Sequence, residues 1–406
     1  MQETLVQSSF YTNFSSGVAA QETQLATLQQ QISTGLAVQT PDQNPAAFQT
    51  ATLANDQINA LSNNINTQAT IQTQLGSVND VYHSVSTLFN NVQSVLEQVL
   101  NGTTNQQNLQ SLGTQIQAAQ QQLVGLGNTS SANGTYLFGG SRGSIPPFQT
   151  GPNQSVLYLG DGGQSQAAIA PDVSASTIAN GDAFTSGLSG NGFASVAASS
   201  TNSGTGVLIA QGITNPVAAA AFQAGSSPIT LSIAAGSSGL TYTASQSGST
   251  ISSGAVTDGG SIQLSGLNFQ INGTAAAGDS FTISPSRPQS SFTLLQNIYN
   301  NMTSIAGTPA QAAQTRTALN DNLASLAQYQ QTILTAQAQT GVTLQAIANA
   351  ATSDANQQTS LQSTVQNAVG ANTATAITQL DQTSTAIQAA MKAFASVQSL
   401  DLFKYL

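Results

Sequence analysis

One short stretch limits the fold of this chain more than any other. From Leu75 to Val99, apolar residues recur at alternating steps of three and four, which is the spacing of a coiled-coil seam. We call it the central seam; it consists of Leu75, Val78, Tyr82, Val85, Phe89, Val92, Leu96 and Val99. Asn101-Gly102 follows, and glycine is typical of the position just after a helix end. The pattern predicts a long helix that packs lengthwise on other helices.

Weaker stripes of the same kind lie towards both ends of the chain. Near the start, Gly35 ends such a stripe, and the segment from Pro41 to Pro45 predicts a loop before the next helix. Helices near 47–100 and 310–369 would each be roughly 80–90 Å long at 1.5 Å per residue. A third segment near 109–126 and a short helix from Phe292 to Met302 follow the same rule.

The middle of the chain has a different composition. Residues 133–288 are rich in Gly, Ser, Thr and Ala, with short alternating runs between turn signals. The clearest pair is Ile262–Leu264 followed by Leu267–Ile271, and Thr135–Phe138 and Ser155–Leu159 are further short runs. Such spacing predicts antiparallel strands.

These signals together predict an α+β protein. Both chain ends would form a long α-helical coiled-coil rod, and a mainly-β domain would be inserted in the middle of the chain. The predicted regions are 1–132 (helical), 133–290 (β-rich outer domain) and 291–406 (helical).

Composition excludes several classes of function. The chain has 5 Lys and Arg against 15 Asp and Glu, a net charge of −10, so binding to nucleic acid or to anionic membranes is disfavoured. No cysteine is present, which removes thiol catalysis and cysteine-ligated metal sites. Because the first Lys or Arg is Arg142, we expect no signal peptide with a basic start. We expect no enzyme activity, no cofactor and no metal site.

A few isolated polar residues are candidate sites. His83 follows a seam residue and is expected to flank the core rather than to serve in a catalytic triad. Aspartates scattered through the β-rich region lie mostly beside glycine, which favours turns over a calcium site: Asp161, Asp172, Asp182, Asp258 and Asp279.

Three stretches resemble one protein family. Leu28–Gly35 with Pro41–Ala47 is similar to a flagellin-type N-terminal motif, although Leu36 and Ala37 stand where that family has a basic residue. Asn133–Gly140 and the ending Phe394–Leu406 resemble the flagellin-like family of hook-associated protein 3.

The resemblance implies a structural adaptor outside the cell, at the hook–filament junction of the bacterial flagellum. Its implied partners are hook-associated protein 1, flagellin, further copies of the same chain in a ring, and an export chaperone of the type III apparatus. Two alternatives stay open, namely a flagellin filament subunit and a secreted coiled-coil adhesin.

The end stripes are the candidate subunit interface. Helices this short need a partner, which is either the opposite end of the same chain or a neighbouring subunit. The candidate residues are Phe14, Val18, Leu25, Leu28, Ile32, Ile377, Leu380, Ile387, Met391, Phe394, Leu402, Phe403 and Leu406.

Overall fold

The computed structural model describes most of the chain, namely residues 2–101, 106–163, 166–170, 173–176, 178–304 and 307–402. The chain divides into two compact units, one of Met1–Thr67 with Asn349–Leu406 and the other of Gln68–Ala348. The α+β class is confirmed, because long helices flank a β-rich middle. The predicted regions 1–132, 133–290 and 291–406 remain a prediction.

The helices follow the apolar stripes closely. In the part of the chain that the structure describes they are α1 Gln2–Thr34, α2 Pro45–Asn101, α3 Gln106–Gly127, α4 Asp182–Thr185, α5 Pro216–Ala224, α6 Ser291–Thr303, α7 Pro309–Val369 and α8 Thr373–Leu402. Gly35 ends α1 with a φ of 71°, which an L side chain adopts only with strain. None of the described helices is long and apolar enough to cross a membrane.

The central seam is buried along its whole length. Its eight side chains are at most 5% exposed, and Val85 and Leu96 are fully buried. The seven from Val78 to Val99 share one apolar core with α3, α6 and part of α7, where Phe89 and Tyr329 bring their ring centroids to 6.1 Å. Leu75 belongs to a smaller cluster that includes Ile347 of α7. Removing this much apolar surface from water is the main stabilising contribution of the second unit.

The strands lie between the two long helical stretches. They are β1 Phe148–Thr150, β2 Val156–Tyr158, β3 Gln166–Ala170, β4 Val173–Ser176, β5 Gly187–Leu188, β6 Ala194–Ala198, β7 Val207–Ile213, β8 Ile229–Gly236, β9 Gly239–Gln246, β10 Ser249–Ala255, β11 Gly260–Leu264, β12 Leu267–Asn272, β13 Ser280–Pro285 and β14 Pro288–Gln289. The larger sheets have the antiparallel orders β10-β9-β8-β13-β6 and β11-β12-β7.

The best sequence-predicted strand pair is confirmed. Strands β11 and β12 form a hairpin in which Leu264 pairs with Leu267. The two turn residues, Ser265 and Gly266, have φ values of 49° and 78°. Two successive positive φ values give a turn whose twist matches that of the strands.

One predicted strand is wrong. Thr135–Phe138 forms turns with a single bridge between Ser130 and Tyr136. Leu137 and Phe138 are both fully buried, whereas adjacent residues of a strand point to opposite faces. The segment therefore anchors the chain to the helical core instead of joining a sheet.

Polar side chains spaced four residues apart on α7 accept hydrogen bonds from the backbone of β6, of β7 and of the loop before β6. The Asp321 carboxylate accepts hydrogen bonds from Ser195 Oγ and Val196 N, both at 2.7 Å. One turn away on either side, Ser325 Oγ accepts from Gly190 N at 2.7 Å and Thr317 Oγ1 from Leu208 N at 3.3 Å. Burial raises the pKa of Asp321 to about 6, against the lowering effect of its two hydrogen bonds.

Candidate subunit interface

The candidate interface is built on α1 and α8, which we call the terminal pair. The two helices pack on each other within one chain. Near their outer ends, the Phe14 and Phe394 rings stack with centroids 4.3 Å apart and planes inclined by 9°. Tyr11 meets the edge of Phe394 at 5.4 Å. The two end stripes therefore meet within a single chain.

This pairing leaves much of the apolar stripe uncovered. Of the predicted interface residues, Leu28 is buried, at 5% exposure. Ile377 and Met391 are exposed, at 48% and 50%. The remaining described side chains are half-buried: Phe14, Val18, Leu25, Ile32, Leu380, Ile387 and Phe394. A two-helix contact cannot enclose a stripe on both sides, so each helix keeps an apolar flank in water.

Three of the predicted interface residues lie at or after position 402, where the described residues end. Leu402 is the last residue of α8. Phe403 and Leu406 lie outside the described residues.

The sequence prediction missed three residues of the same surface. Phe10, Tyr11 and Val397 are 47%, 39% and 48% exposed on α1 and α8. Phe10 and Tyr11 lie four and three residues before Phe14, and Val397 lies three residues after Phe394. Extending the stripes by one turn in each direction would have found all three.

The inner end of the terminal pair is closed by a short backbone link. Leu36 and Gly370 form an antiparallel bridge. Ala37 N donates to Val369 O at 2.7 Å, and Ala371 N donates to Gly35 O at 2.8 Å. The breaks between α1 and α2 and between α7 and α8 are therefore joined to each other by main-chain hydrogen bonds.

Neutral side chains organise the loop between α1 and α2. Gln43 Oε1 accepts from Gln39 N at 2.6 Å, and Asn44 Oδ1 accepts from Ala47 N at 3.1 Å. Asn44 thereby caps the first turn of α2, the usual role of asparagine at a helix start. Beside this loop a cavity of about 320 Å³ is lined mostly by apolar groups, including Leu36, Phe48 and Val369.

No ion pair joins α1 to α8 among the described residues. The one ion pair there is between Arg142 and Asp161 at 3.9 Å, outside the terminal pair. The charged side chains of the terminal pair include Glu22, Asp381 and Lys392, which are exposed.

His83 and the aspartates of the β-rich region are the candidates for catalysis or metal binding. His83 is exposed, and its carbonyl accepts from Thr87 Oγ1. The described part of the chain contains no group of three His, Cys, Asp or Glu residues that could hold a metal ion.

Asp161, Asp258 and Asp279 lie in loops and turns, as predicted, whereas Asp182 is the first residue of α4. The Asp161 carboxylate accepts hydrogen bonds from the Ser141 hydroxyl, from Ser141 N at 2.7 Å and from Gly163 N at 3.0 Å. These hydrogen bonds, the hydroxyl's first, lower the pKa of Asp161. Asp279 accepts from three backbone amides, those of Ser203, Gly204 and Ala276. Asp172 lies outside the described residues.

A cavity of about 590 Å³ lies in the second unit. Its lining is mostly neutral, with Gln328, Gln331 and Thr335 on α7 opposite Asn180 and Asp182. Asp182 accepts a hydrogen bond from the Asn180 side-chain amide at 2.7 Å. We see no arrangement of nucleophile and base in this lining.

In sequence and in fold, the chain is similar to known flagellar proteins. Residues 7–142 match the family of the bacterial flagellin N-terminal helical region. Flagellar hook-associated protein 3 of Escherichia coli K12 is 33% identical over 120 residues, which are 29% of this chain and 38% of that protein. The same protein of Salmonella typhimurium is 30% identical over 139 residues, covering 34% and 44%. The aligned segments thus span less than half of these curated relatives.

Solved structures match over a greater length. FlgL of Xanthomonas campestris has a TM-score of 0.68 and 26% identity, covering 78% of this chain and 99% of that one. Hook-associated protein 3 of Legionella pneumophila has a TM-score of 0.71 and 23% identity, covering 78% and 98%, and so shows a shared fold. The resemblance to the flagellin-like family of hook-associated protein 3 is confirmed, and the chain carries a flagellin-type N-terminal region on the fold of that family's proteins.

Proposed function

We propose that this protein is a structural adaptor that joins the hook of a bacterial flagellum to its filament. It would contact hook-associated protein 1 on the hook side and flagellin on the filament side, outside the cell. The observation that carries the proposal is the likeness to flagellar hook-associated protein 3 in sequence, together with the likeness to FlgL in fold.

The terminal pair is the proposed contact between copies in a ring. Ile377 and Met391 are about half exposed in the terminal pair. Covering them with another subunit would lower the free energy, because apolar surface would leave water. Burying a further half of each side chain is worth on the order of 1 kcal/mol per residue. The predicted interface residues, including Leu402, Phe403 and Leu406, belong to this proposal.

An export chaperone is a further proposed partner. Exposed aromatic and aliphatic groups such as Phe10, Tyr11 and Met391 favour association with any apolar surface. A chaperone that covers α1 or α8 before assembly would prevent premature association of copies.

The proposed role is mechanical, and no bond is made or broken in it. In this proposal the helical regions 1–132 and 291–406 form the inner contacts of the ring, and the region 133–290 faces outward. A filament made of this chain alone and a secreted adhesin are the alternatives that the experiment must separate.

Deletion of the gene, followed by electron microscopy of the cells and a protein gel of the medium, tests the proposal. We expect hooks without filaments and abundant flagellin in the medium, with filaments restored by a plasmid copy of the gene. Bare hooks without flagellin in the medium would identify the chain as the filament subunit. Normal filaments and swimming would overturn the flagellar role and favour the adhesin.

A further inference from the structure

The two larger sheets have four edge strands, of which two contact α7 and two do not pair with any further strand among the described residues. Strands β6 and β7 are edges that α7 contacts, through Asp321 on Val196 N and Thr317 on Leu208 N. On the opposite edges, β10 and β11 have no further strand beside them in the part of the chain that the structure describes. Each copy therefore offers two open edges, one on each sheet.

Strand β10 has few of the features that normally keep a sheet edge from pairing. All seven of its residues are exposed or half-exposed, and Ile251 is 44% exposed. The strand contains no proline and no charged residue, which are the usual guards of an edge. A register shift between Thr250 and Ser252 is the one irregularity along it.

Charge distribution favours another copy of this chain as the partner. The whole chain carries a net charge of −10, so copies repel one another over most of their surface. Residues 183–257, which include β10, contain no Asp, Glu, Lys, Arg or His. Two copies that approach through this region therefore bring few charges together, the nearest acid to β11 in the sequence being the exposed Asp258.

We propose that β10 of one copy pairs with β11 of the next, so that the inserted β-rich regions of neighbouring copies share a sheet. This inference rests on the proposed ring. Pairing of β10 with β10 would be two-fold symmetric and would stop at a dimer, whereas two different edges can repeat around a ring. Strand β11 is also uncharged, with Ser261 and Gln263 exposed.

The absence of cysteine from the chain makes a disulfide test direct. The double variant Ser253→Cys with Ser261→Cys places one thiol on each open edge. We expect mild oxidation of flagella from cells that carry it to give a ladder of dimers, trimers and larger products on a non-reducing gel. Each single variant is expected to give no product beyond the monomer.

A matched control moves one thiol to the interior of the sheet. Thr230→Cys lies on β8, two strands in from the β10 edge, and with Ser261→Cys it should give no ladder. Adding Ile251→Lys to the double variant should abolish the ladder, because a charge on the edge opposes strand addition. Circular dichroism of the purified variants checks that they fold.

The outcomes separate this inference from the proposed function. Normal filaments without a ladder would overturn the edge pairing and leave the junction role intact. A dimer from Ser253→Cys alone would overturn the β10–β11 arrangement in favour of a two-fold contact. Filaments that form normally after deletion of the gene would overturn the ring itself.

Discussion

The terminal pair and the central seam follow the same three-and-four rule with opposite results. Seam side chains are at most 5% exposed, because α3, α6 and α7 enclose α2 within the second unit. In the terminal pair Leu28 is buried at 5%, while Met391 on the same kind of stripe is 50% exposed. A heptad pattern therefore specifies which face of a helix is apolar, and the number of neighbouring helices decides how much of it is buried.

The largest expected effect compares matched phenylalanines in the two regions. Phe89→Ala should lower the free energy of unfolding by about 3–5 kcal/mol, because it leaves a cavity in a closed core. Phe14→Ala should cost only about 1 kcal/mol, because Phe14 is half-buried and solvent replaces part of the lost contact. Urea unfolding followed by circular dichroism measures both. Equal losses would show that the terminal pair is as tightly packed as the seam.

Asp321 is expected to make the unfolding free energy depend on pH. Its folded pKa of about 6 exceeds the ordinary 3.8, so the folded state holds the proton more tightly. The contribution of this proton to the free energy of unfolding is complete below about pH 4. It is lost as the pH rises through 6, and the loss amounts to up to about 3 kcal/mol.

Asp321→Asn removes this titration and serves as the reference. The difference in unfolding free energy between wild type and variant, measured from pH 4 to pH 7, should fall by that amount. A difference that does not change with pH would contradict the raised pKa.

Two glycines sharpen the contrast in packing. A Cβ at Gly187 would overlap the buried ring of Tyr329, so Gly187→Ala should cost about 1–3 kcal/mol through overpacking. Gly17 on α1 has open space around it, and Gly17→Ala should stabilise its helix by about 0.5–1 kcal/mol. Thermal melting of both variants shows the sign. A destabilising Gly17→Ala would indicate closer packing on α1 than the structure has.

The smallest effect on stability should accompany a large effect on assembly. Met391→Glu places a charge on a half-exposed side chain and should change the unfolding free energy by less than about 0.5 kcal/mol. We expect it to abolish filament attachment in a complementation assay, because the charge would be buried between subunits. Thr378→Glu, on another exposed position of α8, is the control. Full swimming with Met391→Glu would remove Met391 from the interface.

Much of the helical fold could be predicted from local signals. The ends of α1 and α2 were marked by Gly35 and Asn101-Gly102, and α6 and α7 begin close to their predicted starts. The short helix α5 was missed, although Asn215 before Pro216 is a typical start: its Oδ1 accepts from Val217 N and Ala218 N.

The polar stripe of α7 could not be predicted in the same way. In the sequence, Thr317, Asp321 and Ser325 are ordinary solvent-facing helix residues, and their partners lie 109 to 135 residues away. Only the folded sheets bring the backbone of β6 and β7 against that face. The strand predicted at Thr135–Phe138 is wrong for the same reason, because contacts with the distant helical core decide the conformation of that segment.

The sequence by itself determined where helices begin and end, which faces are apolar, the β character of the middle and the resemblance to a flagellin-like family. These features depend on neighbours within a few residues: the 3.6-residue period, glycine at positive φ and turn residues between strands. The tertiary structure decided which apolar faces are enclosed, which sheet edges are covered and which stay open. Those outcomes depend on contacts between distant segments, and a local pattern carries no information about them.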